Sequence, residues 1–322
     1  MCMTKEKLEL IKRNAAEILN EDELNSLLKK KNPITYCGYE PSGEMHLGHL
    51  VTITKLLDLE NAGFKVKILL ADWHAWLNKK GDWNFINEQV KIWKAGFKAA
   101  GLKNAEFVVG TSFQRSSEFQ DDVLTIALEV TMNRALRSMQ TVGRDLENAK
   151  VSQVIYPLMQ IADIKHLKID LVQSGIEQRK IHALGIEVFD KINYKTPVFV
   201  HTPLITSLQG PGSKMSSSIP DSMISIRDTE QDIKRKMNKA YCPEGVKEDN
   251  PVLQISRLIV FPRIKEFVVN RPEKFGGNVS YNDYDNLEKD FVNKKLHPMD
   301  LKNSVAKYLC EIIEPIRKSF KV

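Results

Sequence analysis

The run Ile34-Thr35-Tyr36-Cys37-Gly38-Tyr39 leads into the turn cluster Glu40-Pro41-Ser42-Gly43, then a helical pattern opening at His46, then Lys65-Val66-Lys67-Ile68-Leu69-Leu70-Ala71. β-branched and aromatic residues make the first run a predicted strand. The helix carries Leu47, Leu50, Ile53, Leu56 and Leu57 at helical spacing and stops near Gly63, a residue suited to a left-handed C-cap. The last run is apolar apart from Lys67, as strands buried on both faces are. Strand, helix and strand together predict a βαβ unit.

The alternation continues outward. A helix is expected through Ile86 to Ala100, a strand at Glu106 to Gly110, and helices through Asp121 to Arg144 and Gln153 to Ala162. Strands follow at Ile169 to Gln173 and Pro197 to His201, with a helix from Glu177 to Phe189 between them. This order predicts an α/β fold on a doubly wound, mostly parallel, Rossmann-like sheet. Ahead of it, Thr4 to Lys31 reads as two helices, with Leu8, Ile11, Ala15, Ile18 and Leu19 at helical spacing and Asn20 and Glu23 spaced as a capping box. Behind it, Gly210-Pro211-Gly212 breaks the pattern, and helices are expected near Gln231 to Lys239, Pro251 to Val260, Tyr284 to Asn293 and Pro298 to Ser319. The expected organisation is an N-terminal helical segment (1–32), a Rossmann-like domain (33–222) with a helical insert at about 118–150, and a mostly helical domain (223–322).

With 322 residues, 42% hydrophobic and 27% charged, the chain can bury a real core, and pervasive disorder is excluded. Apolar runs such as Ile68 to Ala71 and Leu258 to Phe261 are far shorter than the roughly 20 residues of a spanning helix. Charges from residue 5 onward leave no apolar core for a secretory signal, so a cytoplasmic chain is expected. Cys2, Cys37, Cys242 and Cys310 show no metal-ligand spacing and read as free thiols in a reducing compartment. The net charge of +6 lies almost wholly beyond Gln231, in keeping with a phosphate-rich partner or simply with a solvated helical surface.

Two segments carry chemistry. His46-Leu47-Gly48-His49 falls where the first strand turns into the first helix, a place where helix N–H groups and imidazoles can meet phosphates. Gly48 would let a flat base or sugar approach the backbone. Taken alone, the pattern also fits a helix start with two surface histidines. Gly212-Ser213-Lys214-Met215-Ser216-Ser217-Ser218 places one ammonium on a Ser-rich loop, where it can neutralise charge on a leaving pyrophosphate or merely link two domains.

Together the two segments resemble the HIGH and KMSKS signatures of the class I aminoacyl-tRNA synthetases, with Ser217 where the second signature has its second lysine. Within that class the chain resembles the archaeal and eukaryotic tyrosyl group through Tyr36 to Gly43, Leu70 to Ala75, Val154 to Gln160, Glu177 to Lys180, Lys214 to Ser218 and His297 to Asn303. The resemblance implies ATP-dependent ligation of tyrosine to tRNA, with His46, His49 and Lys214 as catalytic residues. It also implies a tyrosine pocket of Tyr36, Leu69, His74, Gln114, Tyr156, Gln160, Asp163 and Gln178. ATP would meet Gly38, Glu40, Gly43, His46, Gly48, His49, Lys214, Met215, Ser216 and Ser217, and would arrive with Mg²⁺, with no metal held by the protein. Arg137, Arg179 and Lys180 would face the tRNA acceptor end. Phe275, His297 and Asp300 would read the anticodon from the C-terminal domain, although Phe275 would serve equally as a core anchor for its loop. The insert would form a homodimer.

Part of this pocket can be argued from spacing. Tyr156, Gln160 and Asp163 stand at i, i+4 and i+7 and share one helix face. Asp163 can accept from a phenol hydroxyl, and Tyr36 can both donate to it and accept from it. An indole N–H would also suit Asp163 but offers Tyr36 no acceptor, so the tryptophan enzyme is the second reading. A nucleotidylyltransferase also fits His46 to His49 but not the Lys214 loop with a basic helical tail. An RNA-binding relative without catalysis would not need His46, His49 and Lys214.

Overall fold

The computed structural model describes residues 2–142, 148–212 and 219–319. Among them, β1 (Glu17–Leu19), β2 (Ile34–Tyr39), β3 (Lys65–Leu70), β4 (Glu106–Val109), β5 (Leu171–Gly175) and β6 (Val198–Thr202) form one sheet. Its order is β1-β6-β5-β2-β3-β4. β2 pairs in parallel with both β3 and β5, so the chain winds one way through β3 and β4 and the other way through β5 and β6. The expected doubly wound sheet is therefore present. Its topological switch lies between β2 and β5, where such sheets bind ligands beyond the strand carboxyl ends.

Residues 13–20 depart from the helical reading. The first helix, Cys2–Lys12, ends before Asn14, whose φ of 57° is left-handed. The buried Lys55 ammonium donates to the carbonyls at and just past its end, those of Leu10 and Ile11 at 2.9 Å and that of Arg13. Glu17–Leu19 then becomes β1, antiparallel to β6. The Asn20 side chain makes no capping bond: its amide instead donates to the carbonyls of Thr196 and Pro197. Edge pairing with β6 outweighs a helical spacing carried by only a few apolar residues. The expected helix Asp121 to Arg144 is likewise two helices, Ser117–Glu129 and Met132–Ser138, because Val130 is extended and the Thr131 side chain caps a new start at Arg134 N–H. Residues 143 and 144 of that expected helix lie outside the described ones. Asp72–Leu77, a short helix after β3, has no sequence counterpart above.

Two compact units divide the chain. The first comprises Met1–Gly43, Lys55–Lys94 and Leu102–Leu204, and holds the whole sheet. Its core joins Tyr36, Leu69, Phe119, Leu158, Ile161 and Phe199. The second comprises Glu44–Thr54, Ala95–Gly101 and Ile205–Val322. The sequence set its boundary at 222/223; here Ile205 to Gly212 already belong with the second unit, since Leu208 N–H donates to Ser222 O and Tyr241 N–H to Leu208 O. Arg263 draws the two short segments into this unit, donating to Thr54 Oγ1 at 3.0 Å and Ala100 O at 3.1 Å. Its helices include Glu230–Lys239, Tyr284–Val292 and Pro298–Ser319, as expected, while Pro251–Ile255 continues as a π-helical turn over Ser256–Val260. A small hairpin, β7 (Phe267–Val269) with β8 (Val279–Tyr281), interrupts the helical pattern.

Candidate active site

In the first unit, β2 brings Tyr36 to the switch point, paired with Val172 of β5. The helix Val151–His166 carries Tyr156, Gln160 and Asp163 as their spacing predicts. Asp163 is 1% exposed, and its Oδ1 accepts from Gln114 Nε2 at 2.7 Å. The same Nε2 lies 3.3 Å from His74 Nδ1, and the His74 ring meets Tyr156 edge-on at 4.6 Å. Asp163 Oδ2 and His74 Nε2 are buried without hydrogen-bond partners and stand 3.6 Å apart. Leu69 packs with Tyr36 in the same core. Gln160 Nε2 donates to Gln178 Oε1 at 3.3 Å, so these two amides also meet. All eight residues of the expected tyrosine pocket lie in the first unit.

Burial sets the charges here. It pushes the Asp163 carboxyl up to about 8 against the hydrogen bond from Gln114, and pushes His74 down to about 4. It also raises the Tyr36 hydroxyl, with Asp163 adding to the effect, and the Tyr156 hydroxyl, with Glu40 adding. An Asp whose folded pKa is raised lends stability fully below the ordinary carboxylate range and loses it as pH rises toward about 8. Asp163→Asn, which keeps the shape without the charge, is therefore expected to melt above the parent protein at pH 8, with the gap closing at pH 5. Thermal unfolding at the two pH values checks this, and a gap that does not change with pH would contradict it.

The residues expected around ATP divide between the units. In the first, Gly38 is an exposed position of β2 opposite Leu69, Glu40 accepts from Asn78 Nδ2 at 3.0 Å, and Gly43 turns with φ 91°. In the second, His46 N–H donates to His49 Nδ1 at 3.0 Å and Gly48 N–H to His46 Nδ1 at 3.1 Å. An Nδ1 that accepts a backbone N–H leaves the ring proton on Nε2, so each histidine is a neutral Nε2–H donor. Burial holds both below the usual imidazole range, His49 further by the nearness of His46. A Cβ on Gly48 would come within 2.9 Å of His46 Cε1, so glycine lets that ring fold back over the helix start. Residues 44–54 are strapped to the segment around Ser225, where Leu47 N–H donates to Ile224 O and Ser225 Oγ to Glu44 Oε2. Lys214, Met215, Ser216 and Ser217 lie outside the described residues.

The sequence model described as tRNA synthetases class I (W and Y) matches residues 28–314. A tyrosine–tRNA ligase of Methanosarcina mazei is 48% identical over 97% of this chain and 99% of its own, and one of Archaeoglobus fulgidus is 49% identical over 98% of each. The chain belongs to the tyrosine–tRNA ligases of this class I family. The crystal structure of the Archaeoglobus fulgidus tyrosyl-tRNA synthetase complexed with L-tyrosine superimposes with a TM-score of 0.95, covering 98% of this chain and 99% of that one at 48% identity. That of Pyrococcus horikoshii, also complexed with L-tyrosine, gives 0.91 at 35% identity over 99% and 96%.

In this ligase the expected tRNA-facing residues form two groups. In the first unit, Arg137 and Gln140 line a 420 Å³ surface depression, and Lys180 Nζ donates to Gln140 Oε1 at 2.6 Å. Arg179 Nε is held by both oxygens of Glu17 at 2.8 Å. In the second unit, Phe275 is 62% exposed, which removes the reading of a core anchor. Arg271 donates to Gly277 O and Lys295 O, holding the Phe275 loop against the segment that leads to His297 and Asp300. His297 Nδ1 accepts Met299 N–H at the start of the last helix.

Sequence reasoning passed over several polar groups of the ligase. Glu177 has a buried Oε2 with no hydrogen-bond partner, and burial raises its carboxyl above the usual range. Gln173 on β5 is buried with an unpartnered Oε1. Asp72 is buried at the start of its short helix. The one available signal was a polar residue interrupting an apolar run, as Gln173 does after Leu171 and Val172.

Proposed function

We propose that this chain activates L-tyrosine with ATP and transfers it to the 3′ end of tRNA(Tyr). The observation that carries the reading is the buried Asp163, whose Oδ2 stands without a partner 3.6 Å from His74 Nε2 while its Oδ1 holds Gln114. A phenol hydroxyl supplies what this group lacks, and a phenyl side chain would leave it stranded. The tyrosine carboxylate is already ionised and needs no base. It attacks the ATP α-phosphate, a new C–O–P bond forms, and pyrophosphate leaves. Catalysis is then positioning and charge stabilisation. His46 and His49 donate Nε2–H to the phosphates, Gly48 admits the adenosine, and Lys214 meets the departing pyrophosphate. Mg²⁺ enters as part of the MgATP substrate. A terminal ribose hydroxyl of the tRNA then attacks the tyrosyl-adenylate carbonyl and AMP leaves. The reaction belongs in the cytoplasm, and no helix among the described residues is long and apolar enough to cross a membrane.

Amino-acid-dependent ATP–pyrophosphate exchange tests the reading, offering tyrosine, tryptophan and phenylalanine separately without tRNA. Exchange is expected with tyrosine alone. Exchange with tryptophan would reverse the roles given to Tyr36 and Asp163, and no exchange with any of them would sink the proposal.

Asp300 stands in the first turn of the last helix and Phe275 projects from the loop that Arg271 holds nearby, an arrangement suited to stacking on and bonding unpaired bases. Asp300→Ala is expected to raise KM for tRNA about tenfold, in line with ~1–3 kcal/mol for a base contact, while pyrophosphate exchange is unchanged. Equal losses in exchange and charging would reassign the residue to folding.

Leu128, 87% exposed, and Val151, 74% exposed, join Leu124 and Met132 as large apolar side chains left bare on the insert helices and at the start of Val151–His166. Large apolar side chains left bare along the insert suit a protein contact, and a second copy of this chain covers them in the proposed homodimer. Leu128→Asp combined with Met132→Asp is expected to sediment as a folded monomer at micromolar concentration. An unchanged sedimentation coefficient would place the contact elsewhere.

A further inference from the structure

We infer that Gly110, backed by a clamp between Asp72 and Thr111, is the positioning element that fixes Gln114 on Asp163 and so sets selectivity for the para-hydroxyl of the amino acid. The inference rests on the reading of Asp163 and Gln114 as the hydroxyl end of the tyrosine pocket. β4 ends at Val109, and the chain turns at once through a 3-10 turn over Gly110–Ser112. Asp72 seizes that turn. Its Oδ1 accepts Thr111 N–H at 2.9 Å and Trp73 N–H at 2.9 Å, and its Oδ2 accepts the Thr111 hydroxyl at 2.5 Å.

Gln114 is fixed by the same turn. Its N–H donates to Gly110 O at 3.0 Å, and its carbonyl accepts from Gln120 Nε2 at 2.8 Å. With the backbone held at both ends and the side chain 0% exposed, the carboxamide lies along Gly110 to reach Asp163. A Cβ at residue 110 would stand 2.5 Å from Gln114 Oε1 and 2.9 Å from Asp72 Oδ1. Real Cβ contacts do not come that close, so a side chain there obliges the Gln114 carboxamide, which holds Asp163 through its Nε2, to shift. The φ of Gly110 is not in the left-handed region, so alanine meets this obstruction without backbone strain. Glycine is needed here for space and not for conformation.

The test compares Gly110→Ala, Thr111→Val, Gln114→Ala and the double variant Gly110→Ala/Gln114→Ala in pyrophosphate exchange with tyrosine and with phenylalanine. For Gly110→Ala, KM for tyrosine is expected to rise about tenfold or more with kcat within about threefold and KM for ATP unchanged. Preference for tyrosine over phenylalanine should fall with it. Thr111→Val, which keeps volume and removes only the hydroxyl, should move the same parameters by about threefold. In the Gln114→Ala background, adding Gly110→Ala should change them less than about twofold, since there is no amide left to displace. Effects of Gly110 and Gln114 that add independently, or a Gly110→Ala that depresses kcat and both KM values together, would overturn the inference. If Gly110→Ala does not fold, Thr111→Val decides: wild-type selectivity in that variant overturns it. Wild-type KM and selectivity in Gln114→Ala would instead overturn the pocket reading on which it rests.

Discussion

Asp163→Ala is expected to lower kcat/KM for tyrosine in pyrophosphate exchange by roughly 5-fold to 140-fold, with KM for ATP unchanged. The range follows from what the truncation strands when substrate binds. The phenol hydroxyl of the bound substrate loses its partner at a position only 1% exposed. Gln114 Nε2 loses the acceptor at 2.7 Å with or without substrate, so that loss falls on stability and not on kcat/KM. An unsatisfied buried polar group costs about 1–3 kcal/mol, and each 1.4 kcal/mol is a factor of ten. The selectivity change is the sharper readout. Phenylalanine makes no bond to Asp163 and should be used about as poorly by the variant as by the parent, so the preference for tyrosine should nearly vanish. Steady-state exchange with both amino acids measures this. A variant that loses activity but keeps its preference would mean that Asp163 supports the fold and not the substrate.

The helix face that carries Asp163 was readable because spacing is a local property. Tyr156, Gln160 and Asp163 lie within eight residues of one another, and a helix period alone puts them together. The strands from Ile34 and Lys65 were readable for the same reason: a short apolar run between turn residues has few other uses. Glu17–Leu19 was not readable, because its strand character comes from β6, about 180 residues away in the chain, and nothing local distinguishes it from a weak helix. Gln114 entered only through resemblance. Its place depends on Asp72 gripping a turn 39 residues downstream and on the bare Cα of Gly110, relations that no periodicity encodes. The histidines of the first helix start show the middle case. Their positions follow from the sequence, but their neutral Nε2–H form follows only from the backbone N–H groups that occupy both Nδ1 atoms.

That tautomer gives the second large effect. His46→Ala is expected to slow adenylate formation in a single turnover by about 10²–10³, the usual loss for one aimed donor to developing phosphate charge, with tyrosine affinity unchanged. His46→Gln should recover part of the rate, because its amide can still donate, whereas an acid–base role would not survive that replacement. The rate should also stay flat from pH 6 to 8, since burial keeps His46 below the usual imidazole range and it remains neutral above it. A parent rate that falls as an imidazole of ordinary pKa loses its proton would show that the cation was needed and would reverse the assignment. Lys214→Ala should give a loss of similar size through a different route. Ser217 leaves Lys214 as the one ammonium in its segment Gly212 to Ser218, so no neighbour in that stretch can take over the charge on pyrophosphate. Lys214→Arg should retain part of the rate, and Ser217→Lys should partly restore Lys214→Ala. If Lys214→Ala keeps the parent's single-turnover rate, pyrophosphate departs without this segment and the stabilising charge must be sought on another.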